Sequence, residues 1–193
     1  MMGYFLRICL LFFSCVSQVK GQFNLDSLNV FRRHYILETK GRFPDQKQDF
    51  YEFNPKFNIA SKYKTPRKPK TISIPTSGVK IKDYSEFAII DFSVDGKEYK
   101  ITAYRPSPII PLYKNLVFIL FKDLSAPVET YGGGRYMDMD IKDFNGGKVV
   151  IDFNKAYNPY CAFSDGWNCP IPPLGNHLKV KIEAGEKKPL TEH

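Results

Sequence analysis

The segment Phe87–Tyr104 constrains the fold more than any other part of the chain. Phe87 to Val94 and Lys97 to Tyr104 are two strand-like runs, and only Asp95-Gly96 separates them. A two-residue connection between strands requires positive φ, which Asp-Gly tolerates. On the return run Tyr99, Ile101 and Ala103 share one face, while Glu98, Lys100 and Thr102 share the other. That is the period of two of a strand with one covered side. The segment is therefore predicted to be an antiparallel hairpin.

Further strands follow the same logic. Phe57, Ile59, Ser61 and Tyr63 alternate with polar residues, and Thr71 to Pro75 is a short extended piece. Leu116 to Phe121 is apolar without interruption, which predicts a central strand covered on both faces. Tyr136–Ile141 and Lys148–Asn154 read as strands joined through Asp143 to Gly147. His177–Glu183 reads as a last strand that alternates Leu178, Val180 and Ile182 with polar residues. One helix is expected over Ser27–Lys40, capped by Asp26 and stopped by Gly41. Its apolar side is Leu28, Phe31, Tyr35 and Ile36, and Arg32, Arg33 and Glu38 face water. The 14 Pro and 13 Gly argue against long helices elsewhere. The predicted fold is mainly β: a single antiparallel barrel-like or sandwich-like domain over residues 22–186, with one N-terminal α-helix. Residues 187–193 are expected to form a loose tail.

Residues 1–21 read as a leader rather than as part of the domain. Arg7 is the one charge among the first nineteen residues, and Ile8 to Val16 follow as an apolar run. Such a run spans about 14 Å as a helix, short of the roughly 20 residues a bilayer demands. A short apolar run behind a basic start is the pattern of a secretory signal, with Gln22 as the new N-terminus. Two alternatives stand beside it. Phe12-Phe13-Ser14-Cys15 resembles a lipobox, in which Cys15 carries a lipid anchor; a buried N-terminal helix is the other. No transmembrane span is expected.

The whole chain carries a net charge of +8, two units of which leave with the leader through Arg7 and Lys20. Lys62, Lys64, Arg67, Lys68 and Lys70 form a basic run, but Pro66 and Pro69 interrupt it. No aromatic stacking pattern accompanies it, so a solvated loop is expected and no nucleic-acid partner.

Several segments resemble one family. They are Tyr131-Gly132-Gly133-Gly134-Arg135-Tyr136, the run Asp152 to Cys161, Cys169-Pro170-Ile171-Pro172-Pro173, Asn176-His177-Leu178 and Ala184-Gly185-Glu186. Thr76-Ser77-Gly78 and Phe121-Lys122-Asp123 fit as well. Together they resemble the family called domain of unknown function 1684. The resemblance covers most of the mature chain and brings no assigned activity.

The same segments hold the candidate site residues. Cys161 and Cys169 remain once the leader is removed, and an even pair in an exported chain predicts a disulfide. Free thiols, or a metal pair completed by His177 and Asp165, are the alternatives. The glycines before Arg135 allow a close backbone approach or an anion-holding nest; the other reading is a bulged strand entry with Arg135 paired to Asp123 or Asp152. Asp152 and Asn154 share a strand face, and with Tyr131, Tyr157 and Asn158 they suit a polar ligand at the mouth of a barrel. A network that serves buried backbone groups is the alternative. Asp123, Asp152 and Glu186 are the carboxylates available to a hydrolase, but no nucleophile elbow accompanies them. The leading expectation is an exported module that binds a small polar or anionic ligand around Asp123, Tyr131, Arg135, Asp152, Asn154, Tyr157 and Asn158. No cofactor or metal is expected. A hydrolase and a purely structural protein are the alternatives.

Overall fold

The Asp95-Gly96 turn forms as its sequence dictates. Asp95 has φ of 50° and Gly96 of 75°, so the two long strands β3 (Ile81–Val94) and β4 (Lys97–Pro106) pair in register from Val94↔Lys97 outward. A bulge at Phe87 lies between the pairs of Glu86 and Ala88. The computed structural model describes residues 25–190. The segment expected to be a leader, with the alternative anchor at Cys15, and residues 191–193 lie outside the described residues.

The remaining strands are β1 (Asn58–Lys64), β2 (Thr71–Pro75), β5 (Leu116–Phe121), β6 (Arg135–Asp140) and β7 (Lys148–Asp152). They join the hairpin in the order β6-β5-β4-β3-β1-β7, all antiparallel, and β2 pairs with the first part of β3. The sheet curls into a half-barrel. Its concave side holds the main core, in which Phe57, Ile90, Phe92, Ile119, Phe121 and Phe153 are buried. The other side carries a second apolar cluster of Ile74, Tyr84, Tyr104, Phe118, Leu120 and Tyr136.

Strand β5 joins the two clusters. Val117, Ile119 and Phe121 enter the main core and Phe118 and Leu120 the second one, so the apolar run is covered on both faces as expected. Its place in the sheet differs from the expected centre: it lies one strand from the edge, and its second face is covered by residues such as Tyr157 and Cys169 that pack on the cluster there.

The helix α1 spans residues 25–42. Asp26 and Gly41 lie inside it rather than at its ends, because Phe43 N–H still bonds to Thr39 O (2.8 Å). Leu28, Tyr35 and Thr39 form its buried stripe. Arg32 is half-buried rather than wet: it donates to Tyr51 O (2.8 Å) and lies 4.7 Å over the Phe50 ring.

Two other expectations change. His177–Glu183 is not a strand. Leu178 and Ile182 are buried as the alternation predicted, but the segment forms only an isolated bridge: Leu178 N–H and Val180 O bond the main chain of Lys122 and Leu124, and side chains take up Ile182. Lys187 and Lys188, placed in the tail, are held: Lys187 N–H bonds Asp49 O (2.8 Å) and Lys188 N–H bonds Glu129 O (3.0 Å). The basic residues from Lys62 to Lys70 are exposed.

Candidate functional site

Gly134 opens β6 with φ of 90°. A Cβ there would stand 2.6 Å from Phe121 O, so this glycine is what lets β6 start tight against the end of β5. The close approach turns Arg135 inward, and Arg135 is 1% exposed. Its Nη2 donates to Asp123 Oδ1 (3.1 Å) and to Ile182 O (3.0 Å). Its Nη1 donates to Ala184 O and to Glu186 O (3.2 Å). Asp123 Oδ2 accepts from Ile182 N–H (2.8 Å) and from the Ser125 hydroxyl (2.7 Å). This ion pair therefore does for residues 182–186 what a neighbouring strand would do. Of the two pairings expected from the sequence, the structure has Asp123.

Asp152 and Asn154 belong to a different network. β7 ends at Asp152 and a single 3-10 turn, Phe153–Lys155, follows. The two side chains meet through that turn, not through a shared strand face. Asp152 Oδ1 accepts from Asn154 N–H (3.1 Å) and Nδ2 (2.9 Å). Asn154 exchanges two bonds with the main chain of Asn54, at 2.9 and 3.0 Å, and is fully buried. It anchors the chain entering β1.

Asn158, Glu186 and Tyr35 form a third group. Asn158 N–H donates to Glu186 Oε2 (2.6 Å), and Asn158 Nδ2 donates to Lys187 O (2.7 Å). The Tyr35 hydroxyl of α1 lies 2.9 Å from Glu186 Oε2 and 3.0 Å from Asn158 O. Burial pushes the Glu186 carboxyl up to about 8, against the pull of Asn158, Tyr35 and Arg135. The expected cluster is thus three networks rather than one hollow. Asp123 and Arg135, Asp152 and Asn154, and Asn158 with Glu186 each serve main-chain groups.

A hollow does exist beside them, on the outer face of the sheet. It is a groove of about 870 Å³ between α1, β3, β5, β6 and the loop 157–170. Tyr157 and Asn158 are the members of the expected cluster that line it. Its floor is the second apolar cluster, where Phe118 and Tyr136 meet at 4.9 Å. One wall is α1 with Phe31, Tyr35 and Glu38, and another is Tyr160 and Trp167. Asp138 stands on β6 two residues beyond Tyr136, so both point to this face. The Tyr157 hydroxyl donates to Asp138 Oδ1 (2.9 Å). Asp138 is solvent-exposed, yet the rings beside it desolvate its carboxyl enough to raise it above the ordinary range; the Tyr157 hydrogen bond opposes the rise and nearby Glu38 adds to it.

The disulfide Cys161–Cys169 fixes the loop wall. This excludes the free-thiol and metal readings of the pair; His177 Nε2 lies 3.1 Å from Pro172 O instead. Trp167 packs on Tyr160 (4.9 Å) and Phe43 (5.9 Å). Ser77 ties the loop to the β2–β3 turn: its N–H bonds Cys169 O (2.9 Å) and its hydroxyl bonds Trp167 O (3.1 Å). Tyr131 serves the same loop through its hydroxyl on Cys161 O (3.1 Å). Among the described residues no group of three or more His, Cys, Asp or Glu is placed to hold a metal ion, and no helix is long and apolar enough to cross a membrane.

Sequence reasoning missed Asp138, Tyr136 and Glu38 as site residues. The signal for the first two was present: Met137 and Met139 enter the core side, so Tyr136 and Asp138 must share the opposite one.

A curled antiparallel sheet with one helix and an aromatic groove on its outer face defines the class of protein. The chain belongs to the family described as "Protein of unknown function (DUF1684)", whose model matches residues 46–187. It is similar to the solution NMR structure of an uncharacterized protein from gene locus rrnAC0354 of Haloarcula marismortui. The two share 28% identity with a TM-score of 0.62, over 76% of this chain and 78% of that one. No curated protein matches the sequence.

Proposed function

We propose that this chain is an exported binding module whose small polar ligand seats in the groove between α1 and the outer face of the half-barrel. The observation that carries the reading is the Asp138–Tyr157 pair inside a hollow of about 870 Å³ walled by aromatic rings. Apolar lining with a few convergent polar groups, at a volume of roughly 300–1,000 Å³, is the usual make-up of a ligand pocket. The Nη donors of Arg135 are committed to Asp123 and to three carbonyls, and this favours the groove over the Arg135 cluster as the site. The hydrolase reading loses support for a similar reason. Asp123 and Glu186 are buried in internal bonds and Asp152 caps a turn. Export is supported by the apolar run behind Arg7 and by the disulfide, which fits an oxidising compartment.

Thermal-shift screening of the mature protein tests the proposal, with amines, saccharides and small alcohols as probes. A hit should raise Tm, and Tyr157→Phe together with Trp167→Ala should weaken it while both variants keep the wild-type circular dichroism. If no probe of any class shifts Tm, the binding reading fails and the structural alternative takes its place. N-terminal sequencing of exported protein tests the rest: a start at Gln22 supports cleavage, and a lipidated Cys15 supports the anchor.

A further inference from the structure

Resting on the groove as a ligand site, the charges within it narrow what that ligand is. Three carboxylates line the hollow: Asp138 from β6, Glu38 from α1 and Asp83 from β3. Glu38 accepts from the Tyr160 hydroxyl (2.6 Å) and meets Arg42 at 4.0 Å. Asp83 accepts from the Ser73 hydroxyl (2.6 Å). Asp138 has the Tyr157 hydroxyl, and no ion pair to a basic side chain forms among the described residues. The basic residues of the lining are Lys82 and His34. The charge that Lys82 feels is that of Lys80, whereas the charge that Asp138 feels is that of Glu38. Around Asp138, then, the field is acidic although the chain as a whole is basic.

Asp138 is open to solvent on the lining of the groove, so its carboxylate is within reach of a cation that enters the hollow. The rings around it supply the other half of such a site. Tyr35, Tyr136, Tyr157 and Phe118 offer π surfaces, and Tyr35 and Tyr157 lie 5.3 Å apart at a tilt of 48°. Aromatic faces attract cations, most strongly where water is excluded. The groove is far larger than a bare ammonium group, so the cation must carry a body that covers the apolar floor of Phe118 and Tyr136.

We infer that the groove binds an organic cation, an amine or quaternary ammonium with an apolar body, whose charged end meets Asp138 among the rings of Tyr35, Tyr136 and Tyr157. The raised carboxyl of Asp138 supports this in a testable direction. A permanent cation favours the ionised carboxylate, so binding releases a proton and tightens as pH rises through the Asp138 titration.

Matched pairs of probes test the assignment. Choline is compared with its neutral isostere 3,3-dimethylbutan-1-ol, and phenethylamine with 2-phenylethanol, by titration calorimetry on the disulfide-bonded mature protein. Monosaccharides form a third arm. The inference expects each cation to bind at least tenfold more tightly than its neutral partner. Asp138→Asn should erase that preference, and Asp91→Asn, which lies outside the groove lining, should retain it. Equal binding within pairs, or binding by saccharides alone, overturns the cation assignment and leaves the groove as a ligand site. Silence in all three arms overturns both.

Discussion

Arg135 and Asp123 form an ion pair of 3.1 Å in which each side chain is 1% exposed. Buried ion pairs seldom add much stability, because desolvation offsets the attraction. This one has a second task, since between them the two side chains bond the main chain at Ile182, Ala184 and Glu186. Without them the C-terminal segment would bring unpaired carbonyls into the interior. Arg135→Ala is therefore expected to cost about 3–5 kcal/mol, the usual loss when one buried partner is left alone. Arg135→Lys should recover only part of it, because an ammonium lacks the planar fork that reaches several acceptors. Urea denaturation checks both. A loss under about 1 kcal/mol for Arg135→Ala would contradict the architectural role.

The disulfide makes a separable prediction. It closes a short loop of sequence separation 8, for which the chain-entropy argument gives about 2.5 kcal/mol. The double variant Cys161→Ser with Cys169→Ser should fall in stability by about that amount. The loop also carries Trp167, which rests on Tyr160 at 4.9 Å. Loss of the clamp should therefore shift Trp167 emission to the red under native conditions, before global unfolding. Unchanged emission would mean that the Ser77 bonds hold the groove wall without the disulfide.

How much of this was legible depends on what alternation encodes. The Asp95-Gly96 hairpin was readable because turn chemistry and side-chain period agree there. The two-sided burial of Leu116–Phe121 was readable for the same local reason. His177–Glu183 misled because alternation reports which side chains are buried and is silent on what pairs with the backbone; here the main chain of Lys122 and Leu124 and the side chains of Arg135 and Asp123 do the pairing. The polar cluster misled in a related way. Asp, Asn and Arg that satisfy buried main-chain groups have the same composition as residues that hold a ligand. The groove joins α1 to β6 and the disulfide loop, elements far apart in the chain, so no local pattern announces it.

Glu186 supplies the pH dependence. Its side chain is fully buried, and three atoms form a triangle around its Oε2: Asn158 N–H at 2.6 Å, the Tyr35 hydroxyl at 2.9 Å, and Asn158 O at 3.0 Å from that hydroxyl. Tyr35 has one proton for two acceptors. With Glu186 ionised, either Asn158 O or Oε2 goes without it. With Glu186 neutral, its own O–H donates to Tyr35, Tyr35 donates to Asn158 O, and the ring closes. Burial acts in the same direction and raises the carboxyl from 4.5 to about 8, while Arg135 on β6 opposes it. A carboxyl raised in the folded state binds its proton more tightly there than in the unfolded chain. The stability it contributes is full below about pH 4.5, declines as pH rises, and is gone above about pH 8. Glu186→Gln keeps the shape without a titrating proton. Wild type should therefore lose stability relative to Glu186→Gln between pH 5 and pH 9, by on the order of 4 kcal/mol. Guanidinium denaturation of both proteins across that range measures the difference. Because Tyr35 is the α1 member of the triangle, Tyr35→Phe should weaken the packing of α1 and reduce the same pH slope. Parallel wild-type and Glu186→Gln curves would show that Glu186 is ionised in the folded protein at neutral pH.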